Sequence, residues 1–558
     1  MKRLKLLTVA IFALMCCTAL EALCQGRVIA ITPEISREAQ RLTLEMPVRE
    51  RVAQLMMPVV KMFDMDSARI QIDKYVGECR VGGILFYKGE CAEQIELYNR
   101  AASATKHPIM VAIDGEWGLN MRLRHTPRFP VNMALGAVQD MRLIHAYGEE
   151  MGRQCRRMGI SVNFAPSVDV NSNPDNPVIG RRSYGDDKEA VADRAIAYAS
   201  GLEKAGVLSC AKHFPGHGDT NQDSHKTLPT VSRSRSDVFD IDLYPFRRYV
   251  EAGLGSVMVA HLNVPALDSI TGVSTSLSPV VIDGLLRHEM GFDGLVFTDA
   301  LDMKGVTKYD DVCVRALLAG NDVLVMPVDV ERSIGSVLQA LDEGRISEEC
   351  INAHCCKVLA YKLALRLDNQ PISAEGILQD LNSKECYQLI SALAEKSVTL
   401  VSDRPQKAGR IDARKSTLIA LGDDENLRYR SLGDTLVTAR EFYRYIDENF
   451  GKVVSYNSRT EQLPQLGKRE QVVVEVFSAK QRYIDALAAI TKRCSNVVVV
   501  FYVNPYEMLT FKNSLRLDRN TVICAYEDTY HAQRAAQEAL QGRIAFEGKM
   551  PVEISLER

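Results

Sequence analysis

Between residues 54 and 327, eight short runs of β-branched and apolar residues recur, separated by segments with helical periodicity. The runs fall at 54–60, 82–88, 108–114, 162–170, 207–213, 256–262, 294–300 and 321–327. Strands that are apolar along their whole length are buried on both faces, which predicts a parallel α/β sheet covered by helices. Eight such units fit a (β/α)8 barrel of the TIM type, with an open, doubly wound sheet as the alternative. The placement of polar residues favours the barrel. Asp114, Asp169, His213, His261 and Asp299 each stand at or next to the C-terminal end of a run, and in a barrel those ends converge on one mouth. Helix capping accounts for one or two aspartates. It does not account for two histidines and three aspartates on the same rim.

Beyond residue 331 the pattern turns helical, and 346–365 reads as a helix leading off the barrel. The stretch 368–375, with Pro371, is the predicted start of a linker. Apolar runs then return at 397–402, 416–421, 471–477, 496–503 and 521–526, with helices at about 480–494 and 529–542. They predict a smaller three-layer α/β sandwich. The expected division is a signal at 1–26, barrel and trailing helix at 27–367, linker at 368–395 and sandwich domain at 396–558. The second domain carries no GxSxG, no GxxxxGK and no cluster of histidines with carboxylates, so no function is legible there.

Lys2, Arg3 and Lys5 precede a short apolar run at 6–20, followed by Ala22, Gln25 and Gly26 as cleavage positions. This is the pattern of a secretory signal, shorter than the ~20 residues of a bilayer span. The expectation is an exported protein of the periplasm or cell surface, without a transmembrane span. Lipid anchoring at Cys16, Cys17 or Cys24 is the alternative, disfavoured because none sits in a small-residue lipobox. With 68 Lys+Arg against 71 Asp+Glu there is no basic excess to hold a nucleic-acid backbone. A hydrophobic content of 46% is too high for a disordered chain. Of 14 cysteines, three lie in the signal; the rest are widely spaced and lack CxxC pairs, which argues against a disulfide ladder or zinc ribbon.

The chemistry concentrates in Lys212-His213-Phe214-Pro215-Gly216-His217-Gly218-Asp219, continuing to Asp223-Ser224-His225. Three of the chain's ten histidines fall in this stretch. In an extended segment residues i and i+2 face the same way, so Asp223 and His225 can meet. A carboxylate beside an imidazole orients it and favours its protonated form, which makes a general acid/base dyad. Metal binding is an alternative for the same side chains, although the first run lacks the HxH that metal-dependent barrel hydrolases carry. Asp299, at the end of the run 294–300, suits a rigidly held nucleophile and equally suits a helix N-cap. Asp114, Arg122, Arg182 and Lys212 offer charge-assisted hydrogen bonds to a neutral polyol. For the arginines, ordinary surface ion pairs are the alternative.

These motifs resemble family 3 glycoside hydrolases, specifically the bacterial β-N-acetylglucosaminidase branch. The matching segments are Ile113-Asp114-Gly115-Glu116, residues 163–170, Ile179-Gly180-Arg181-Arg182-Ser183-Tyr184, residues 212–225 and Thr298-Asp299-Ala300. The resemblance implies that Asp299 is the nucleophile and His225 the acid/base with Asp223 as its partner. It implies that Asp114, Arg122, Arg182, Lys212 and His213 bind N-acetylglucosamine, with no cofactor or metal. The implied activity is retaining removal of terminal β-linked N-acetylglucosamine from peptidoglycan fragments or related glycans. Alternatives are a β-glucosidase or β-xylosidase on the same scaffold, an N-acetylglucosaminide phosphorylase, a metal-dependent barrel hydrolase, or a sugar-binding protein without turnover. His261 and Met303 are further residues expected at the rim. One departure stands out: Trp117, the only tryptophan, occupies a position where the family commonly has a small residue. Stacking on a sugar face or packing beneath the rim both suit it, stacking being preferred.

Overall fold

Pro58 has no N–H to give a strand ladder, and it divides the first apolar run into two short strands that face different neighbours. In the computed structural model, which describes residues 28–222, 227–270, 272–423, 449–457 and 462–557, these are β1 (Met56–Met57) and β2 (Val59–Lys61). The next strands are β3 (Gly83–Tyr87), β4 (Met110–Ile113), β5 (Val162–Asn163) and β6 (Leu208–Phe214). They are followed by β7 (Ser256–Val259), β8 (Leu295–Thr298) and β9 (Leu324–Val325). Strands β2 to β8 pair in sequence order, all parallel. A parallel bridge from Phe297 to Val323 joins β8 to the β9 segment, and β9 pairs with β1. The ring is closed: this is the (β/α)8 barrel, not an open sheet.

The observed strands are shorter than the apolar runs, for local reasons. Gln54 does not start a strand; it caps the helix Val48–Ala53, and its amide donates to the Arg80 carbonyl. The run 162–170 forms regular strand only at its first two residues. Pro166 interrupts it, and Ser167 returns to bridge Lys212. Outer helices start where an acidic side chain satisfies their first N–H groups: Asp140 accepts from Arg142 N ahead of Met141–Arg157, and Asp187 from Ala190 N ahead of Lys188–Lys204. These two helices pack backbone to backbone. A Cβ on Gly148 would lie 2.0 Å from the Tyr198 carbonyl oxygen, so only glycine permits the approach.

After an irregular segment the chain forms the helices Ile377–Leu381 and Lys384–Ser397, then a second sheet. Its strands are β10 (Thr399–Ser402), β11 (Ser416–Leu421), β12 (Lys452–Tyr456), β13 (Gln471–Val476), β14 (Asn496–Phe501) and β15 (Asn520–Cys524). The order is β10-β15-β14-β13-β11-β12, parallel except for β10. Strand β12 had no counterpart among the apolar runs, because it lies half-buried at the sheet edge. Alternate residues of the central strands feed two cores. Val472, Val474 and Val499 face one that includes Val131, Met133 and Ala137 of the barrel portion, whereas Val473 and Val498 face the other. The second sheet is thus packed directly on the segment that follows β4.

The eleven cysteines after residue 28 are all unpaired and mostly buried. Among the described residues no helix is long and apolar enough to cross a membrane.

One buried group makes stability depend on pH. Lys362, in the helix Glu348–Ala364, is 3% exposed, and its ammonium donates to Gln54 Oε1 at 2.7 Å. Burial pushes it down to about 7 from an ordinary value of 10.5. Between those values the unfolded chain holds a proton that the native lysine lacks, so stability rises with pH. This group should add roughly 2 kcal/mol to native stability between pH 7 and pH 9. Urea unfolding at the two pH values should show that increment, and Lys362→Met should lose it; an equal increment in the variant would contradict the assignment.

Candidate active site at the barrel mouth

The C-terminal ends of the barrel strands surround a cavity of about 630 Å³. Asp114 follows β4 directly, and Glu116, two residues on, enters the same space. Two strands further along the ring, β6 supplies Lys212 and His213. In a regular strand these neighbours would face opposite sides of the sheet. The pairing with β7 slips here: Lys212 lies opposite Met258 and Phe214 opposite Val259. This bulge re-aims the strand, and both Lys212 and His213 line the cavity.

A continuous chain of charge-assisted contacts results. Arg122 Nη2 donates to Asp114 Oδ2 at 2.7 Å, and Lys212 Nζ to Asp114 Oδ1 at 3.0 Å. The same ammonium lies 2.9 Å from Glu116 Oε1, which also accepts from Arg182 Nη2 at 2.7 Å. Arg182 Nε donates to Glu116 Oε2 at 3.0 Å, making the pair two-pronged. Arg182 Nη2 is 3.2 Å from His213 Nε2, and His213 Nδ1 is 2.7 Å from Asp169 Oδ2. These two contacts fit one tautomer, with Nδ1–H donating to Asp169 and Nε2 accepting from Arg182. Asp169, fully buried, also accepts from Ser167 Oγ and from the backbone N–H of His217 and His213.

Burial alone would push the Asp114 and Glu116 carboxyls up. Lys212 and Arg122 outweigh it at Asp114, and Arg182 and Lys212 outweigh it at Glu116, so both are held well below the usual carboxylate range. Burial would likewise lower Lys212, but Asp114 and Glu116 raise it on balance. All three stay charged.

Asp299 follows β8 on the opposite wall. Burial raises its carboxyl, and the nearby His261 and His213, the Ala300 N–H and Lys212 together bring it below its ordinary value. Its Oδ1 accepts from Ala300 N at 2.8 Å, the one hydrogen bond this carboxylate accepts among the described residues. His261 lies behind, fully buried, with Nδ1 at 2.7 Å from Ser276 Oγ and Nε2 at 3.0 Å from the Ala300 carbonyl. The arrangement offers a polyol fixed donors and acceptors on one wall and, on the other, an ionised carboxylate that accepts only the Ala300 N–H among the described residues.

A match to the glycosyl hydrolase family 3 N terminal domain runs over residues 47–361, more than half of the chain. The chain belongs to this family. It is 32% identical over 368 residues to β-hexosaminidase A of Pseudoalteromonas piscicida, an alignment covering 60% of this chain and 61% of that protein. It is 34% identical over 340 residues to the β-hexosaminidase LpqI of Mycobacterium tuberculosis, covering 56% of this chain and 82% of that one. A solved family 3 β-N-acetylglucosaminidase from Paenibacillus sp. str. FPU-7 superposes with a TM-score of 0.75 at 32% identity, over 92% of this chain and all of that one.

Of the residues singled out in the sequence, Asp114, Arg122, Arg182, Lys212, His213, Asp299 and Met303 meet at this family 3 cavity. His261 supports it from behind. Trp117 is not among the lining residues; it is half-buried against the core of the second sheet, with the Arg181 guanidinium over its ring at 6.0 Å. Asp223 and His225 lie outside the described residues. Three further residues of the site were given no role of their own by the sequence. Glu116 stands two residues after Asp114, so the same-face rule applied to the dyad points to it as well. Asp169 was visible as a strand-end acid, but its partner His213 arrives from another strand. His217 lines the cavity, and burial pushes its imidazole down to about 4, with Nδ1 at 2.7 Å from Thr220 Oγ1. Among the described residues no three His, Cys, Asp or Glu side chains are grouped to hold a metal ion.

Asp169→Ala would leave the His213 ring N–H and two buried backbone N–H groups without their acceptor. Unfolding in urea should show a loss of about 3 kcal/mol, and an unchanged midpoint would remove Asp169 from the network.

Proposed function

We propose that this chain is an exported, retaining β-N-acetylglucosaminidase that releases terminal N-acetylglucosamine from peptidoglycan fragments or related glycans. The observation that carries this reading is the contrast across the cavity. On one side Asp114, Arg122, Lys212, Glu116, Arg182 and His213 are locked together, and on the other Asp299 is ionised but accepts a single hydrogen bond among the described residues. The locked wall presents pre-oriented partners for the hydroxyls of one pyranose. The names of the hexosaminidase relatives support the N-acetyl sugar, and the leader-like residues 1–26 support export.

In this mechanism Asp299 attacks the anomeric carbon as the leaving oxygen takes a proton from His225, oriented by Asp223. The C–O bond to the leaving group breaks and a glycosyl ester forms on Asp299. His225, now neutral, takes a proton from water as that water attacks the anomeric carbon and the C–O bond to Asp299 breaks, which regenerates the carboxylate and inverts the centre a second time. An imidazole suits both steps, because its reference value near 6.5 is close to working pH.

A panel of aryl β-glycosides tests the sugar. Turnover should be highest on the N-acetylglucosaminide; faster cleavage of the glucoside or xyloside would overturn the assignment. Asp299→Ala should reduce turnover by about 10⁴-fold or more. His225→Ala should slow alkyl glycosides by about 10² to 10⁴-fold yet largely spare the first step with a dinitrophenyl leaving group, which needs no proton. Equal losses on both substrates would remove His225 from the acid/base role.

A further inference from the structure

Glu116 and Arg182, paired inside the cavity, each adjoin in sequence a residue that turns away from it. Those neighbours, Trp117 and Arg181, also meet: the Arg181 guanidinium lies over the indole ring at 6.0 Å. The two backbone stretches are therefore joined twice, by a two-pronged ion pair on the cavity side and by a cation–π contact on the other. The second junction is where the C-terminal sheet is seated. Trp117 packs against the core built from β11, β13, β14 and β15. Glu507 and Glu527 come from that layer; burial raises both carboxyls, and the charge of Arg181 opposes the rise at each.

The loop between β5 and the helix Lys188–Lys204, which carries Arg182, is pinned by the same layer on both sides of that residue. Before it, Tyr506 Oη donates to the Asn171 carbonyl at 3.0 Å. After it, Glu553 N donates to Asp186 Oδ2 at 2.7 Å, and Asp186 N to the Pro551 carbonyl at 3.2 Å. Gly185 lets Pro551 come so close: a Cβ there would lie 2.2 Å from the Pro551 carbonyl oxygen. Arg181 itself is exposed, and its guanidinium makes no ion pair among the described residues. Its removal costs the fold little, so what it holds is the local backbone beside Arg182.

We propose that the C-terminal layer is a working part of the sugar site, with Trp117, Arg181 and Tyr506 acting as positioning residues that keep Arg182 aligned with Glu116 and His213. They touch no substrate. The inference rests on the proposed function in taking this cavity as the sugar site, and it explains why the one tryptophan of the chain stands beside Glu116. An interaction that holds a binding arginine equally in ground and transition states lowers KM and leaves kcat alone.

The test uses the full-length protein and whichever aryl β-glycoside it cleaves fastest. Arg181→Ala should raise KM by roughly threefold to tenfold, with kcat within about twofold and an unchanged melting temperature. Arg181→Lys, which keeps a cation, should recover most of the difference. Tyr506→Phe, a conservative change that removes one hydrogen bond, should move KM in the same direction. KM unchanged in both Arg181→Ala and Tyr506→Phe overturns the proposal. So does a loss of kcat that follows a fall in melting temperature, since that is the mark of a merely structural role. Failure of the underlying reading looks different: Asp299→Ala would then retain wild-type turnover, whatever the Arg181 variants do.

Discussion

One ammonium, that of Lys212, lets two carboxylates share a wall of the barrel mouth. Asp114 and Glu116 both face the cavity, and without a cation between them their like charges would keep one protonated. Lys212 reaches both, Arg122 and Arg182 cover the outer oxygens, and His213 passes the chain on to Asp169. Such a buried network adds little net stability, because desolvation of each ion consumes most of the attraction. An apolar mouth of the same volume would hold the fold as well. The network instead fixes donors and acceptors in place before a ligand arrives, so that no reorganisation is needed when it binds.

The scaffold yields to that requirement at several points. Strand β6 carries a bulge so that consecutive residues face inward, at the expense of regular ladder pairing. Strand β5 gives up regular pairing after two residues, which releases a long loop to bring Asp169, Asn176 and Arg182 around the mouth. A loop of that length fixes arginine geometry only if something else holds it. Asn176 does part of this, donating to the carbonyls of His217 and Gly218 and accepting from Val178 N and Ile179 N. The second sheet does more, reaching the loop at Asn171 and Asp186. The C-terminal layer is thus tied to the site through this loop, and among the described residues none of its side chains lines the cavity.

This division explains what the sequence revealed. The barrel was legible because its strands are buried on both faces, so apolar runs such as Leu295–Thr298 mark them without ambiguity. The rim was legible because Asp114, His213 and Asp299 follow those runs directly. Half-buried edges were not: β12, with a mixed exposure pattern, looks like the loops around it. Pairings across the barrel were equally hidden. Nothing near residue 169 announces His213, and nothing near residue 117 announces Arg181, since each contact is made by chain distant in sequence. Trp117 shows the cost: as an isolated aromatic beside the site it suggested a sugar platform, whereas it packs between the core of the second sheet and Arg181 of the barrel loop.

Asp114 and Asp299 make the same argument from a single residue type. Both are carboxylates at strand ends, and both are held in the ionised form below their ordinary values. Asp114 reaches that state by direct contact, with one oxygen on Arg122 and the other on Lys212, so its lone pairs are spent on cations. Asp299 reaches it without such a clamp: the neighbouring His261 and His213 and the Lys212 ammonium lower it against burial, and the one hydrogen bond its oxygens accept among the described residues comes from the Ala300 N–H. A carboxylate clamped by cations is a rigid acceptor and a poor nucleophile, because bond formation would have to break those contacts first. A carboxylate kept ionised from a distance retains an oxygen for attack. The difference lies in which neighbours touch each oxygen, and it separates a residue suited to binding from one suited to bond-making within a single cavity.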